Sequence, residues 1–263
     1  MDLVEARARG FEAGVRHPWE TARFEVIDHL IRRHVNLGNG SIVMDVGCGD
    51  TFVVESLASR YTGAELFAVD TAFTGELLDH YRARLNNPRI QMASSLDGMS
   101  PPPSRPASLV LLMDVIEHIE DDTGFLNGLR ARPYIDGSTR LLITVPAYQS
   151  LFSSHDTFLG HYRRYSNQSL RALIERSGFK VLDIGYFFGS LLPIRILQVV
   201  KERLLGLKPD QPMSGIVTWT GGSAAATLFS GALLLDARVS MAVARSGLRL
   251  PGLSNYAICV KSA

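Results

Sequence analysis

The sequence has 263 residues, a formal net charge of +1 and a hydrophobic fraction of 46%. This length accommodates one α/β domain with a sizeable insertion, and the near-neutral charge excludes a basic surface for sequence-independent binding of nucleic acid. Because Cys48 and Cys259 are the only cysteines, no disulfide framework is expected and a reducing, cytoplasmic setting is predicted. No signal peptide is expected from the first residues.

The N-terminal region, residues 1–39, is predicted to contain an arm and a leading helix. Pro18 suits the first turn of a helix, and apolar residues then repeat at helical spacing. Two interpretations of Trp19 are open. It packs in the core against a sheet, or it closes over a bound ligand together with His17 and Arg23.

A strand, a glycine-rich turn and a helix follow in residues 42–61. The strand leads into Asp45, and the turn contains Gly47 and Gly49. Glycine lets the backbone approach a ligand that a Cβ atom would exclude, although the same glycines also suit a plain tight turn. A second strand ends in Asp70, about twenty residues further on, where doubly wound sheets place a ribose-binding carboxylate. The pattern therefore indicates the nucleotide-binding half of such a sheet.

Two classes of ligand use this arrangement. Nicotinamide enzymes need G-x-G-x-x-G, so that a helix N-terminus faces a pyrophosphate. Here the third glycine is missing, and Asp50 stands where the phosphate would lie. A cationic ligand without phosphate fits this turn better than a dinucleotide does.

The D-x-G-x-G run followed by an acid-ended strand resembles the class I S-adenosylmethionine-dependent methyltransferases. The resemblance covers residues 40–187 and departs at Thr51, where that family usually has glycine. It implies a doubly wound, seven-stranded, mostly parallel sheet (the Rossmann-like methyltransferase fold), with Asp70 on the ribose hydroxyls and residues 94–97 near the adenine. The cofactor-binding residues that it implies are Asp45, Gly47, Cys48, Gly49, Asp70, Thr71, Ser95 and Asp114.

The remaining core elements are predicted from periodicity and turn signals. Proline-rich residues 100–106 form a surface connection, because proline fits neither a helix interior nor a central strand. Apolar and alternating runs predict further strands at residues 89–93, 108–113, 141–145, 181–187 and 256–260. Helical spacing predicts helices around residues 77–85, 125–129 and 170–174.

The densest group of candidate catalytic residues follows the strand at residues 108–113. Asp114-x-x-Glu117-His118 resembles the Glu-x-x-Glu-His segment of the ubiquinone-biosynthesis O-methyltransferases and the small-RNA terminal 2′-O-methyltransferases. That resemblance implies a divalent cation held by Asp114, Glu117, His118 and a later histidine, for which His161 is the best match. Such ligands suit Mg²⁺, Mn²⁺ or Zn²⁺. The alternative is that Glu117 and His118 cap a helix or orient the cofactor, without metal.

A second cluster contains His155, Asp156 and residues 160–165. It resembles a bacterial branch of the same superfamily, in which a V-P-A strand end leads to H-D and then G-H-x-R-R-Y. Without a metal, His155 or His161 is the expected general base, because histidine titrates near neutrality, and His118 is a further candidate. Arg163 or Arg164 is expected to bind a carboxylate or phosphate of the substrate. In the alternative interpretation, Asp156 and Arg164 form a structural ion pair.

The main irregularity is an apolar insertion, residues 188–254, before the last predicted strand at residues 255–263. Residues 211–235 contain no charge, a length that matches a membrane span, but Gly, Ser, Thr, Gln and Pro interrupt it. We expect a helical cap over the active site that covers an apolar substrate or rests on a membrane surface. The alternative is an apolar homodimer interface.

The sequence thus predicts an S-adenosylmethionine-dependent methyltransferase that acts on oxygen of a mid-sized apolar molecule, such as a lipid, a quinone-like compound or a natural-product precursor. Methylation of carbon or nitrogen is left open. The core is predicted to be residues 40–187. Two further interpretations are a catalytically silent binding protein of this fold and a nicotinamide oxidoreductase.

Overall fold

The structure is a computed structural model, and it describes residues 17–206 and 222–262. The predicted N-terminal arm and the part of the insertion at residues 207–221 lie outside the described residues. The strands are β1 (Ile42–Val46), β2 (Glu65–Val69), β3 (Ile90–Ala93), β4 (Leu109–Met113), β5 (Arg140–Pro146), β6 (Phe179–Phe187) and β7 (Ser254–Lys261). The helices are α1 (Pro18–His34), α2 (Phe52–Arg60), α3 (Gly75–Leu85), α4 (Asp122–Arg130), α5 (Ser154–Leu159), α6 (Asn167–Arg176), α7 (Leu192–Leu205) and α8 (Ser223–Ala244).

The seven strands form one sheet in the order β3-β2-β1-β4-β5-β7-β6. Neighbouring strands from β3 to β5 run parallel, whereas β7 is antiparallel to both β5 and β6. The predicted doubly wound, mostly parallel α/β sheet is confirmed. Because β2 lies on one side of β1 and β4 lies on the other, the order in which strands are added to the sheet reverses at β1. Ligands bind at such a switch point, outside the carboxyl ends of the strands.

The sheet separates two apolar cores, because successive side chains of a strand point to opposite faces. Val43 of β1 lies in a core that also contains residues of α1, α2 and α8. Its neighbours Ile42 and Met44 lie in the opposite core, with residues of α4 and α6. Central strands covered on both faces explain the uninterrupted apolar runs from which they were predicted.

The leading helix α1 begins as its sequence predicts. His17 is its N-cap and accepts a hydrogen bond from the Trp19 amide at 3.1 Å, and Pro18 occupies the first turn. The backbone oxygen of Pro18 also accepts from Ser230 Oγ of α8 at 2.9 Å. The insertion therefore packs on the leading helix as well as on the sheet.

The insertion between β6 and β7 contains α7 and α8 in its described part. One helix in the described residues, Ala224–Ala244, is long and apolar enough to cross a membrane by length and composition, and 28% of its apolar window is buried. On α7 several aliphatic side chains are exposed, namely Ile196, Leu197, Val200, Leu204 and Leu205. Contact with a membrane surface or with a second copy of the chain stays a prediction.

Candidate active site

The turn after β1 is shaped by glycines that no other residue replaces without strain. Gly47 has φ +75° and a Cβ atom there would lie 2.6 Å from Val115 Cγ2, so both its backbone conformation and its packing require glycine. Gly49 has φ +58°. The Gly49 amide donates a hydrogen bond of 2.9 Å to Asp70 Oδ2, which ties the turn to the end of β2.

The carboxylate of Asp70 is fixed from two sides. One oxygen accepts from Gly49 and the other, Oδ1, accepts from the Ala72 amide at 2.9 Å. Two backbone donors restrict the side chain to one orientation, and both oxygens keep further lone pairs for a ligand. Asp70 lines the large cavity described below.

The departure of Thr51 from the family pattern has a structural cost. Its φ is +67°, in the left-handed region that a β-branched residue rarely adopts, which explains why glycine is usual there. Thr51 is fully buried, and its hydroxyl lies 2.7 Å from Glu55 Oε1 and accepts from Arg84 Nη2 at 2.6 Å. These contacts hold the turn in the conformation that glycine adopts elsewhere.

The side chain of Asp45 is buried and is not among the residues that line the cavity. Neither carboxylate oxygen has a hydrogen-bond partner among the described residues. Removal from water raises the pKa of Asp45 to about 7. Direct contact of Asp45 with a cofactor therefore stays a prediction.

This raised pKa predicts a specific pH dependence of stability. The folded pKa lies above the ordinary value, so ionised Asp45 destabilises the folded state, and stability is lost as pH rises from about 4 to about 7. Relative to the wild type, Asp45→Asn should gain roughly 2–3 kcal/mol more at pH 8 than at pH 5, since each pKa unit corresponds to about 1.4 kcal/mol. Urea unfolding at both pH values measures this. Parallel pH profiles for the two proteins would contradict it.

A cavity of about 1100 Å³ lies outside the carboxyl ends of the parallel strands. Pockets for one drug-sized ligand measure about 300–1000 Å³, so this cavity has room for a cofactor and a second molecule. Of the predicted site residues, those that line it are Gly47, Cys48, Gly49, Asp70, Thr71, Ser95, Asp114, Glu117, His118, His155, His161 and Arg164.

Helix α1 closes one side of this cavity. His17, Trp19 and Arg23 all line it, as the second interpretation of Trp19 predicts. The Trp19 ring also lies 6.4 Å from the ring of Phe188, and the Arg23 guanidinium lies 5.2 Å from the centre of the indole. Trp19 therefore packs against the protein and faces the cavity at once.

Asp114 lies outside the group of potential metal ligands described below and is paired with other side chains, so its predicted role as a metal ligand stays a prediction. Arg23 Nη1 lies 2.8 Å from Asp114 Oδ2, and Thr144 Oγ1 lies 3.2 Å from Oδ1. The guanidinium neutralises the carboxylate and so competes with any metal ion for it. Asp114 still lines the cavity, so its predicted contact with the cofactor stays open.

The other three predicted metal ligands do come together. One ligand atom each of Glu117, His118 and His161 lies within 4.8 Å of the other two, and the two imidazole rings are 4.6 Å apart. Glu117 is fully buried and neither of its carboxylate oxygens has a hydrogen-bond partner in the described part of the chain. Burial, with a smaller effect of the Asp114 charge, raises its pKa well above the usual value. A carboxylate and two imidazoles fit a divalent cation.

His161 is oriented by a buried carboxylate. Its Nδ1 lies 2.9 Å from Asp156 Oδ1, which leaves Nε2 for a ligand or a proton. Arg164 Nε donates to the same oxygen at 2.7 Å, so the predicted Asp156–Arg164 ion pair is confirmed. Burial opposes ionisation of Asp156, but the hydrogen bonds from His161 and Arg164 bring its pKa below the usual range.

His155 is a weaker base than its residue type suggests. Burial, followed by the positive charge of Arg195, lowers the pKa of His155 to about 4. The imidazole is therefore neutral at pH 7, but it binds a proton less readily than an ordinary histidine. Of the predicted bases, His161 has the better geometry, because a carboxylate supports it.

Arg163 was expected to bind an anionic group of the substrate, but its guanidinium contacts other parts of the protein. Its guanidinium donates to Asp122 at 2.9 Å and to the Glu120 oxygen at 2.7 Å, and Arg163 does not line the cavity. These contacts attach the loop after α5 to the start of α4. Arg163 thus stabilises the loop and does not meet a ligand in the cavity.

The sequence analysis missed the residues that the insertion contributes to the cavity. Arg195 of α7 is 7% exposed, and its Nη2 lies 3.0 Å from Asp156 Oδ2 and 2.6 Å from Ser153 Oγ. The other residues that the insertion adds to the lining are Leu191, Ile194, Gln198, Phe229, Leu253 and Ser254. The available signal was Arg195 itself, which interrupts an apolar run near the start of α7.

A family model described as a methyltransferase domain matches residues 19–184. The chain belongs to this methyltransferase family. The matched region holds the turn, Asp70 and the whole of the His118–His161 cluster, so the enzyme is an S-adenosylmethionine-dependent methyltransferase, as its motifs predict. The narrower resemblance to the ubiquinone-biosynthesis branch is not established. A comparison with curated protein sequences found no match.

Solved structures share the fold of this methyltransferase at low sequence identity. One match is a chain from the complex between the Haloferax volcanii Trm112 methyltransferase activator and a methyltransferase. It is 15% identical, the match covers 98% of this chain and 94% of that chain, and the TM-score is 0.57. Phosphoethanolamine N-methyltransferase 2 of Haemonchus contortus is 16% identical. The match covers 91% of this chain and 52% of that chain, with a TM-score of 0.53. Mycolic acid cyclopropane synthase CmaA1 is 15% identical. The match covers 92% of this chain and 84% of that chain, with a TM-score of 0.52.

Proposed function

We propose that this methyltransferase transfers the methyl group to an oxygen atom of a mid-sized apolar acceptor. The observation that carries the proposal is the Asp156-supported imidazole of His161, which lines the same cavity as the glycine turn and Asp70. A hydroxyl acceptor must lose a proton during transfer, and an oriented imidazole contributes typically 10²–10⁴-fold to such a step.

The sheet topology separates the two halves of the reaction. Asp70 follows β2 and the glycine turn follows β1, whereas His161 lies beyond β5, on the other side of β4. Asp70 and the glycine turn would hold the donor, and an acceptor beyond β4 would have its oxygen within reach of His161. Methyl transfer is an in-line displacement, so the enzyme contributes mainly by holding donor and acceptor in this order and excluding water.

The lining of the acceptor side favours an apolar molecule. Leu159, Leu191, Ile194 and Phe229 contribute apolar surface there, and the last three belong to the insertion. An acceptor with a hydrocarbon or ring body would bury this surface at about 25 cal/mol per Å². Relatives in fold are named for different acceptors, including phosphoethanolamine and mycolic acid, so methylation of nitrogen or carbon is the alternative.

A divalent cation is the alternative to a general base at His161, because Nε2, the nitrogen that Asp156 leaves available, cannot bind a metal ion and accept a proton at once. Glu117, His118 and His161 would hold it, with Asp156 supporting His161 from behind, as carboxylates commonly support metal-bound histidines. When bound, such an ion polarises an acceptor oxygen and lowers its pKa. The unpartnered carboxylate of Glu117 supports this assignment, because buried charges are otherwise paired.

If the cation is present, the purified protein should contain about one equivalent of Mg²⁺, Mn²⁺ or Zn²⁺, and Glu117→Gln should lose most of it. Elemental analysis after gel filtration measures the content. The matched control is Glu120→Gln, since Glu120 is exposed and does not line the cavity. If the wild-type protein contains no metal and its activity is indifferent to EDTA, the cation is ruled out and His161 is left as the proposed base.

The function itself is tested with a labelled methyl donor. The enzyme is incubated with ¹³C-methyl S-adenosylmethionine and a cell extract, and the organic phase is analysed by mass spectrometry and NMR, which distinguish O-, N- and C-methyl groups. Calorimetry with S-adenosylmethionine, its demethylated product and NAD separates the alternatives. Cofactor binding with no labelled product would favour the silent binding protein, and preference for NAD would favour an oxidoreductase.

A further inference from the structure

Two arginines meet at one buried carboxylate on the acceptor side of the cavity. Arg164 Nε and Arg195 Nη2 lie 2.7 Å and 3.0 Å from opposite oxygens of Asp156. Both guanidinium groups line the cavity, and their side chains are only 6% and 8% exposed. They come from separate parts of the chain, one from the loop after α5 and the other from the insertion.

Two carboxylates, Asp156 and Glu202, lie near the two arginines, so the cluster is formally neutral. Glu202 also accepts a hydrogen bond from the Ser154 amide at 2.7 Å. Neither carboxylate lines the cavity, whereas both arginines do. A ligand on this side of the cavity therefore meets the guanidinium groups of the cluster and not its carboxylates, and guanidinium groups bind anions.

Arg195 also has unused hydrogen-bonding capacity. Its Nη2 is the donor to Asp156, to Ser153 and, at 3.4 Å, to the Leu151 oxygen. Its Nε is buried and has no hydrogen-bond partner among the residues that the structure describes. Almost every buried N–H in a folded protein is paired, so Arg195 retains a donor for which the described residues supply no acceptor.

We propose that Arg195, together with Arg164, forms an anion subsite that binds a carboxylate or phosphate group of the methyl acceptor. This inference rests on the proposed function, because it assumes that the acceptor occupies this side of the cavity. Guanidinium groups recognise both anions through paired N–H donors. The subsite therefore specifies the acceptor as an anionic amphiphile.

The surroundings of Arg195 agree with an amphiphile. The adjacent Ile194 also lines the cavity, with Leu159 and Phe229 on other elements. A charged head group at the arginines would leave the apolar body of the molecule against these side chains. Arg195 would then select acceptors by their head group, while the apolar lining tolerates different bodies.

The test uses four probes with the same decyl chain: decanoate, decyl phosphate, decanol and decyltrimethylammonium. Each is titrated by calorimetry, below micelle-forming concentrations, into the full-length protein saturated with demethylated cofactor. We expect decanoate or decyl phosphate to bind at least 10-fold more tightly than decanol, and the cation to bind more weakly than decanol. The stronger of the two anions identifies the head group as carboxylate or phosphate.

Arg195→Gln should remove this preference and leave the affinity for decanol within about 3-fold. The matched control is Lys201→Gln, which removes an exposed positive charge from the same helix and should leave all four affinities unchanged. If Arg195→Gln does not fold, Arg195→Lys takes its place. This variant keeps the positive charge but lacks the paired N–H donors of a guanidinium group, and we expect it to retain only part of the preference.

The inference would be overturned if wild-type protein bound decanol as tightly as both anions, or if the preference for anions survived in Arg195→Gln. An equal loss in Lys201→Gln would assign the preference to general surface charge and also overturn it. Binding of the demethylated cofactor is measured first. If that binding is absent, the proposed function fails, whereas intact cofactor binding without anion preference defeats the subsite alone.

Discussion

Replacing Asp70 with alanine is expected to weaken S-adenosylmethionine binding by roughly 100-fold or more. The carboxylate is held by the amides of Gly49 and Ala72, and from this fixed position we expect it to accept hydrogen bonds from both ribose hydroxyls. Hydrogen bonds to a charged group contribute about 1.5–3 kcal/mol each, and every 1.4 kcal/mol is a factor of ten in affinity. Calorimetric titration with S-adenosylmethionine and with its demethylated product measures the loss.

The effect should be the same for both cofactor forms, because they share the ribose and differ only at the methyl group. Asp70→Asn should bind with intermediate affinity, since an amide oxygen accepts hydrogen bonds without a charge. Asp79→Ala is the matched control, because Asp79 lies on α3, is highly exposed and does not line the cavity. Affinity of Asp70→Ala within 3-fold of the wild type, with unchanged thermal stability, would show that the sugar binds elsewhere.

The cofactor half of the site could be predicted because its geometry is local. Gly47, Gly49 and Asp70 belong to one strand–turn–helix–strand unit, and the strand order places the ends of β1 and β2 side by side. The left-handed backbone at Gly47 follows from its residue type. A sequence pattern that extends over thirty residues therefore contains most of the information needed for this half.

The acceptor half depends on contacts between distant parts of the chain. Asp114 was predicted to bind a metal, but Arg23, 91 positions earlier, neutralises it. Arg195 reaches Asp156 across 39 positions. The periodicity of α7 does not indicate that Arg195, one of its two arginines, points inward to a carboxylate. Such pairings are set by how α1 and the insertion pack on the sheet, which local patterns do not encode.

The same reasoning explains the difference between the two histidines after β5. Both were predicted as bases from residue type and position, and both line the cavity. His161 contacts the Asp156 carboxylate, whereas burial and Arg195 lower the pKa of His155 to about 4. Which histidine acts is therefore decided by neighbours that come from the insertion and from α5, and a single sequence cannot rank them.

His161→Ala is accordingly expected to lower kcat by 10²–10⁴-fold, the usual range for loss of a general base, with S-adenosylmethionine affinity within about 3-fold of the wild type. His155→Ala is the matched control, because it removes an imidazole from the same cavity, and we expect less than a 10-fold loss. Turnover is measured as labelled methyl transfer to the acceptor identified from the extract.

Added imidazole should restore part of the activity of His161→Ala, because the cavity left behind has room for the missing ring and Asp156 remains to orient it. A side chain needed only for folding would give no such rescue, and its removal would lower the unfolding temperature instead. Equal losses in the two histidine variants, or near-normal turnover in His161→Ala, would contradict the assignment. The proton would then leave by a route that does not involve the pair of Asp156 and His161.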